Sequence, residues 1–322
     1  MSQRIDISYK TVIFITIFIL GIWLIFLIKD LLLILFASVI LMSALSPLVN
    51  TLVGWRVPKV LSIAITYLII LGVVAAILAS ILPPLIEQTT TLIVTLPPIL
   101  TQFFNVTSID RSIVSQEFAS LSKNFVTFTL AAFDNLLTII FLLVVTFYLL
   151  LEKNDLENRI ATLFVGKEER IRKSIIRIEE KLGAWLRGQV VLSLIIGLLS
   201  YIGLTLLNIP YALPLAVIAG IMEVVPVIGP IISAIPPIII AFTISPVLGL
   251  AVVAMYFIIQ QAENHLIVPQ VMKRAVGLNP LVVILAIAVG SRLLGFAGAI
   301  LAVPIAVVLQ IIVTEIIEER KV

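Results

Sequence analysis

The feature that most constrains this chain is a run of 39 uncharged residues, 224–262, that ends directly in Glu263, Asn264 and His265. A second uncharged run lies upstream, and only Glu223 separates the two. A charge inside so much apolar sequence costs about 2.5–3.5 kcal/mol on membrane-insertion scales. Such a residue is tolerated where protein or water surrounds it. These polar positions are therefore the first candidates for a functional role.

Composition predicts the class of protein. Of the 322 residues, 61% are hydrophobic and 12% are charged, whereas soluble domains are roughly half apolar and a quarter charged. We predict an all-α polytopic membrane protein of the cell membrane. With no cysteine and one histidine, a disulfide framework, a thiol nucleophile and a multi-histidine metal site are excluded. The sequence contains no phosphate-binding or dinucleotide-binding glycine motif, so we expect no cofactor and no enzyme.

Apolar runs of about 20 residues predict membrane spans. The predicted divisions are 1–84 with spans at 11–28, 31–52 and 60–82, an amphipathic helical segment at 85–124, span four at 125–151, a hydrophilic helical segment at 152–187, and a transmembrane core at 188–322. We expect Pro83 and Pro84 to end the third span, because proline interrupts helical hydrogen bonding.

The distribution of lysine and arginine predicts orientation. Nine of the 21 basic residues lie in 152–187, and only Arg111 and Lys123 lie in 85–124. By the positive-inside rule, 152–187 and both termini are cytoplasmic, and 85–124 is extracytoplasmic. The basic residues therefore follow membrane topology, and no nucleic-acid partner is expected.

Two stretches of the C-terminal core, 210–243 and 280–310, combine apolar sequence with helix-breaking residues. Each break lies beside a charge, Glu223 in the first and Arg292 in the second. Such residues also serve as kinks and packing surfaces in membrane helices. Paired interrupted helices, however, are typical of transporter binding sites. We predict two hairpins or broken helices whose tips approach each other, with breaks at Pro226, Gly229, Pro230, Gly295 and Gly298.

A polar cluster follows the long uncharged run. Gln260, Glu263 and Asn264 have the spacing that places side chains on one face of an α-helix, and His265 lies on an adjacent stripe. In the simpler interpretation, the helix ends here in an interfacial loop. In the functional interpretation, these side chains line a substrate or ion pathway together with Glu223 and Arg292, the latter as an electrostatic partner of Glu223 or as an anion site.

Four motifs indicate a family. They are RGQ at 187–189, IPYALPLAVIAGIMEVVPVIGPIISAIPP at 209–237, QQAENHLIVPQVM at 260–272 and VGLNPLVVILAIAVGSRLLGFAGAILAVP at 276–304. Together they resemble the AI-2E family of transporters, named for autoinducer-2 export. The chain departs from the family pattern at Lys273, where glycine is common, and at Asn279, where histidine is common.

The resemblance implies several spans, an extramembrane helical segment, broken or re-entrant helices, and homo-oligomers with a pentamer as the expected form. The leading hypothesis is a secondary or passive transporter that exports a small polar metabolite or signal of autoinducer-2 type. A second is a monovalent cation (sodium or lithium)/proton antiporter that uses Glu223 or Glu263. A third is a non-transporting membrane scaffold built around 152–187.

Overall fold

The computed structural model describes residues 9–103, 136–226, 228–272 and 277–319, and nearly all of these are helical. Six helices in this part are long and apolar enough to cross a membrane. The chain is therefore an all-α multi-pass membrane protein, which confirms the prediction from composition.

The helices follow one another with short connections. In chain order they are α1 (Tyr9–Leu27), α2 (Lys29–Gly54), α3 (Lys59–Phe103), α4 (Leu136–Thr162), α5 (Glu168–Leu206), α6 (Ala212–Met222), α7 (Ile228–Ile244), α8 (Pro246–Ala262), α9 (Val268–Val271) and α10 (Pro280–Glu319). A π-helical turn, Glu263–Ile267, joins α8 to α9.

Helix α2 is the centre of the N-terminal half. One side of it packs against Ile63 of α3 and Leu150 of α4. The other side places Ile40 against Leu182 and Trp185 of α5. Many apolar side chains elsewhere on α1, α3 and α4 face outward, as membrane helices require where they meet lipid.

Helix α3 continues through the two prolines that were expected to end it. The helix runs without interruption to Phe103, so the predicted end at Pro83 and Pro84 is wrong. Each proline removes one intrahelical hydrogen bond. Unwinding the helix would free many more backbone groups, each at a cost of several kcal/mol in an apolar medium. Of the segment predicted as amphipathic, 85–103 belongs to α3, and 104–124 lies outside the described residues.

The hydrophilic segment 152–187 forms the ends of two long helices and the short turn 163–167 between them. Lys153 of α4 forms an ion pair with Glu179 of α5 at 2.7 Å. Lys59, just after the turn between α2 and α3, donates to the carbonyl of Leu151 at 2.9 Å. Both turns therefore lie at the same end of the bundle, which we call the basic end.

Helices α6 and α7 form the first hairpin. It starts from the opposite end of the bundle, where Leu204 and Ile209 pack with Leu215 of α6 and Ile240 of α7. Contact between the start of α6 and the end of α7 shows that the two helices are antiparallel. Residues 223–226 form the part of the tip that the structure describes.

Helix α10 is a second hairpin. Gly295 has φ +61° and ψ −141°, a conformation outside the helical region. A Cβ on Gly290 would lie 3.2 Å from the Cβ of Ala302, although a straight helix would separate these residues by about 18 Å. The chain therefore doubles back at Gly295. Arg170 at the start of α5 pairs with Glu315 near the end of α10 at 2.7 Å, so this hairpin starts from the basic end.

The two hairpins meet inside the bundle. Val225 at the tip of the first hairpin packs against Ile287, Ala299 and Ala302 of the second. The predicted pair of interrupted segments thus forms two hairpins that enter from opposite ends.

Candidate functional site

Glu223 lies at the tip of the first hairpin and is completely buried, with 0% exposure. Neither of its carboxyl oxygens has a hydrogen-bond partner among the described residues. Its local conformation follows from sequence, because Pro226 lacks an N–H and disfavours helix in the residue before it. Helix α6 therefore ends at Met222, and the carboxyl group of the next residue remains inside the bundle.

Gln189 of α5 holds the tip in place. Its Nε2 donates to the backbone carbonyl of Glu223 at 2.7 Å. This carbonyl follows the end of α6, where helix carbonyls lose their intrahelical donors. Sequence reasoning did not select Gln189 as a site residue, although the RGQ motif contains it.

Close backbone contacts shape the tip. A Cβ on Gly229 would lie 1.9 Å from the carbonyl oxygen of Met222. Gly220 of α6 approaches α5 closely, because its Cβ would meet the carbonyl oxygen of Ser193 at 2.9 Å. Pro226 lies in the tip, and Gly229 and Pro230 form the start of α7.

Glu263 is the second buried carboxyl group, with 5% exposure. It accepts a hydrogen bond from Nε2 of Gln260 at 3.2 Å, and it lies within electrostatic range of Glu223. Asn264 and His265 are exposed instead. The sequence grouped Asn264 with Glu263 by α-helical spacing. That grouping is wrong, because the π-helical turn has a wider hydrogen-bonding repeat and rotates the following residues.

Arg292 does not pair with Glu223. It is exposed near the tip of the second hairpin, and no ion pair joins the two within the described part of the chain. The hypothesis of a direct electrostatic partner is therefore wrong. The break in α10 is at Gly295, while Gly298 lies inside the second arm, where its Cβ would collide with the carbonyl of Gly290.

Arg187, also in the RGQ motif, connects α5 to α2. Its Nη1 donates to the carbonyl oxygens of Ser43 at 3.2 Å and Ala44 at 3.0 Å. Pro47 lies four residues after Ser43 and has no N–H to donate to it. Arg187 therefore satisfies a carbonyl that the proline leaves free.

A cavity of about 320 Å³ lies elsewhere, at the basic end, and is lined by Lys59, Lys153 and Glu157 among others. It contains no residue of either hairpin. Over the described ranges, no group of three or more metal-binding side chains could hold an ion. Glu223 at the tip of the first hairpin and Glu263 in the π-helical turn therefore remain the candidate site.

Two opposed helical hairpins that meet beside buried carboxyl groups define the architecture of a membrane transport protein. Comparison with known proteins supports this class. The chain belongs to the AI-2E transporter family, whose sequence model matches residues 12–318.

Individual relatives extend over most of the chain. It is 30% identical over 320 residues to the "Putative transport protein YrrI" of Bacillus subtilis (strain 168), covering 92% of this chain and 89% of that protein. It is 29% identical over 279 residues to the "AI-2 transport protein TqsA" of Escherichia coli (strain K12), covering 83% of this chain and 80% of the relative. The family predicted from the four motifs is therefore confirmed.

Proposed function

We propose that the chain is a secondary transporter in which Glu223 and Glu263 take up and release protons to drive export of a small polar metabolite or signal of autoinducer-2 type. The cargo class is supported by similarity to a relative named as an AI-2 transport protein. The family supports membrane transport as the general activity.

The proposed coupling step rests on one observation. Two neighbouring carboxyl groups are buried and have no basic partner in the described residues. Two ionised carboxylates in this setting repel each other, and each loses its hydration, at a cost of several kcal/mol. Uptake of one proton or one cation removes the repulsion. The site therefore has a physical reason to bind a positive charge in this conformation and to release it when water reaches the pair.

The opposed hairpins support alternating access to this pair. The hairpins enter from different ends, and Val225 of the first packs against the second at the centre. Movement of one hairpin would open the pair toward one end while the other hairpin keeps the opposite end closed.

Antiport of a monovalent cation (sodium or lithium) against protons is the second candidate. It is favoured by the oxygen-rich surroundings of the pair, since the side-chain oxygens of Gln189, Glu223 and Glu263 are all buried and hard cations prefer oxygen ligands. A neutral hydroxyl-rich cargo would use the same oxygens as hydrogen-bond acceptors.

The proposal also includes the orientation of the protein in the membrane and its oligomeric state. The basic end carries most of the lysine and arginine of 152–187, which supports a cytoplasmic position for this end and for both termini. Family resemblance supports a homo-oligomer, with a pentamer as the expected form.

Flux through purified protein in liposomes tests this function. Autoinducer-2 and, separately, sodium are supplied under an imposed pH gradient, and the variants are Glu223→Gln and Glu263→Gln. We expect pH-dependent flux in the wild type and at least a tenfold loss in Glu223→Gln. Glu180→Gln, an exposed position on α5, is the matched control and should behave as wild type. Flux of either compound identifies the cargo, whereas wild-type pH dependence in Glu223→Gln contradicts the coupling role. Absence of any flux in the wild type would favour the scaffold.

A further inference from the structure

Helix α5 carries a line of buried polar side chains that faces the interior of the bundle. Gln189, Ser193 and Ser200 follow the spacing of one helix face, at intervals of four and seven residues. Oε1 of Gln189 and the hydroxyl oxygens of both serines are buried and have no hydrogen-bond partner within the described residues. Tyr256 of α8 adds a fourth buried polar atom, because its hydroxyl interacts with Ser200 and has no hydrogen bond to any other described residue. We call these four residues the polar seam.

Other buried hydroxyl groups in the same bundle, unlike these, form hydrogen bonds to the backbone. Ser38, Ser43, Thr66 and Thr146 each donate to the carbonyl four residues earlier, at 2.7–2.8 Å. A serine in an apolar helix normally satisfies its hydroxyl in this way. The serines of the polar seam leave theirs available. Buried polar atoms in natural proteins are usually satisfied, and bound water is the common partner where protein atoms are not.

One end of the polar seam lies at the backbone of Glu223. Gln189 is the residue that binds the Glu223 backbone, and Ser200 lies about 16 Å further along α5, at 1.5 Å per residue. This distance is about half of the hydrocarbon thickness of a bilayer. Beyond Ser200, the apolar cluster of Leu204, Ile209 and Val252 closes the bundle at the end opposite to the basic end.

The polar seam is too narrow for a metabolite in this conformation. Between Ser193 and Ser200, a Cβ on Gly197 would lie 3.5 Å from the Cα of Gly220. Helices α5 and α6 therefore touch through their backbones at this level. This contact excludes a metabolite from the seam in this conformation.

We propose that the polar seam is the proton path to Glu223, with water molecules bridging its hydroxyl groups. This inference rests on the proposed function, because it names the route by which the coupling proton arrives. Each hydroxyl or water accepts one proton as it donates another, so no charge stays on the seam. Oε1 of Gln189 only accepts a hydrogen bond, so its role is to hold a water molecule that carries the proton to the Glu223 carboxyl group. Glu263 is the other titratable group that faces Glu223, and Arg187 is engaged with α2. The apolar cluster beyond Ser200 closes the path until the first hairpin moves.

Removal of single hydroxyl groups tests the path. Ser200→Ala and Tyr256→Phe keep the packing volume almost unchanged and delete one oxygen each. We expect proton flux, read with a pH dye trapped in proteoliposomes supplied with autoinducer-2 or sodium, to slow at least fivefold. Ser38→Ala is the matched control, because Ser38 has the same 0% exposure as Ser200 but a satisfied hydroxyl. It should stay within twofold of wild type.

These measurements distinguish failure of the proton path from failure of the proposed coupling site. Wild-type proton flux in both hydroxyl variants, with flux lost in Glu223→Gln, overturns the path and leaves the coupling site standing. Wild-type flux in Glu223→Gln as well overturns the coupling site. Loss of autoinducer-2 flux with unchanged proton flux shows that the seam binds cargo, and it also overturns the path.

Hydration of the seam has an independent probe, because the chain contains no cysteine. Silver ion reacts with thiolates and is small enough to follow water. We expect Ser193→Cys to be inhibited by silver nitrate and Ser38→Cys to be resistant. Resistance of both variants would mean that the seam is dry, which would also overturn the path.

Discussion

Replacement of Gly229 by alanine tests the geometry of the first hairpin directly. The added Cβ would lie 1.9 Å from the carbonyl oxygen of Met222 and 2.5 Å from its carbonyl carbon. Side-chain carbons essentially never approach other heavy atoms closer than 3.0 Å, so the Met222 backbone must move by at least about 1 Å. Since the clash involves backbone, no side-chain rotation relieves it. Overpacking of this kind costs about 1–3 kcal/mol.

The matched control is Gly72→Ala in α3. No heavy atom lies within 4 Å of a Cβ at Gly72, so this change has no packing cost and should stabilise the helix by about 0.5–1 kcal/mol. We expect Gly229→Ala to unfold at lower temperature than wild type in detergent micelles, and Gly72→Ala to unfold at the same or a higher temperature.

Transport should respond more strongly than stability does. Met222 directly precedes Glu223, so a shift of its carbonyl displaces the buried carboxyl group. We expect Gly229→Ala to lose flux in liposomes beyond the loss of folded protein, while Gly72→Ala retains it. Equal unfolding temperatures in the two variants, together with wild-type flux in Gly229→Ala, would refute the close backbone contact at the hairpin tip.

Two further predictions concern the packing of α5 against α2 and the orientation of the bundle in the membrane. Arg187→Ala should lower the free energy of unfolding by about 1.5–3 kcal/mol, the range for hydrogen bonds from charged groups. The loss should be smaller in a Pro47→Ala background, because residue 47 then has an N–H that can donate to the carbonyl of Ser43. Additive losses in a double-mutant cycle would refute this pairing. In intact cells, an impermeant thiol reagent should label Asn208→Cys in the turn between α5 and α6 and leave Asn158→Cys near the basic end unlabelled, and the reverse pattern would invert the proposed orientation.

The sequence predicted those features of the site that depend on residues close together in the chain. Glu223 interrupts a long uncharged stretch, and burial of that residue follows from the cost of a charge in hydrocarbon. Both hairpins were expected for a similar reason, since a broken helix frees backbone groups that must be sheltered by protein. Gly295 breaks α10 because its positive φ suits glycine and strains other residues.

The orientation of the polar cluster could not be read from the sequence. The π-helical turn at 263–267 buries Glu263 and exposes Asn264, and no spacing rule for an α-helix anticipates that rotation. The exposed position of Arg292 likewise depends on where α10 folds back, three residues later at Gly295.

By itself, the sequence determined the class of protein and the two interrupted segments, because membrane insertion acts on each segment separately and penalises every unsatisfied polar group. Only the tertiary structure decided which polar groups meet. Gln189 reaches the Glu223 carbonyl across 34 residues of sequence, and Arg187 reaches the carbonyl that Pro47 leaves free. Such contacts depend on how the helices pack in three dimensions. The periodicity of a single helix shows which of its faces is polar, but it does not show which residues of other helices that face will contact.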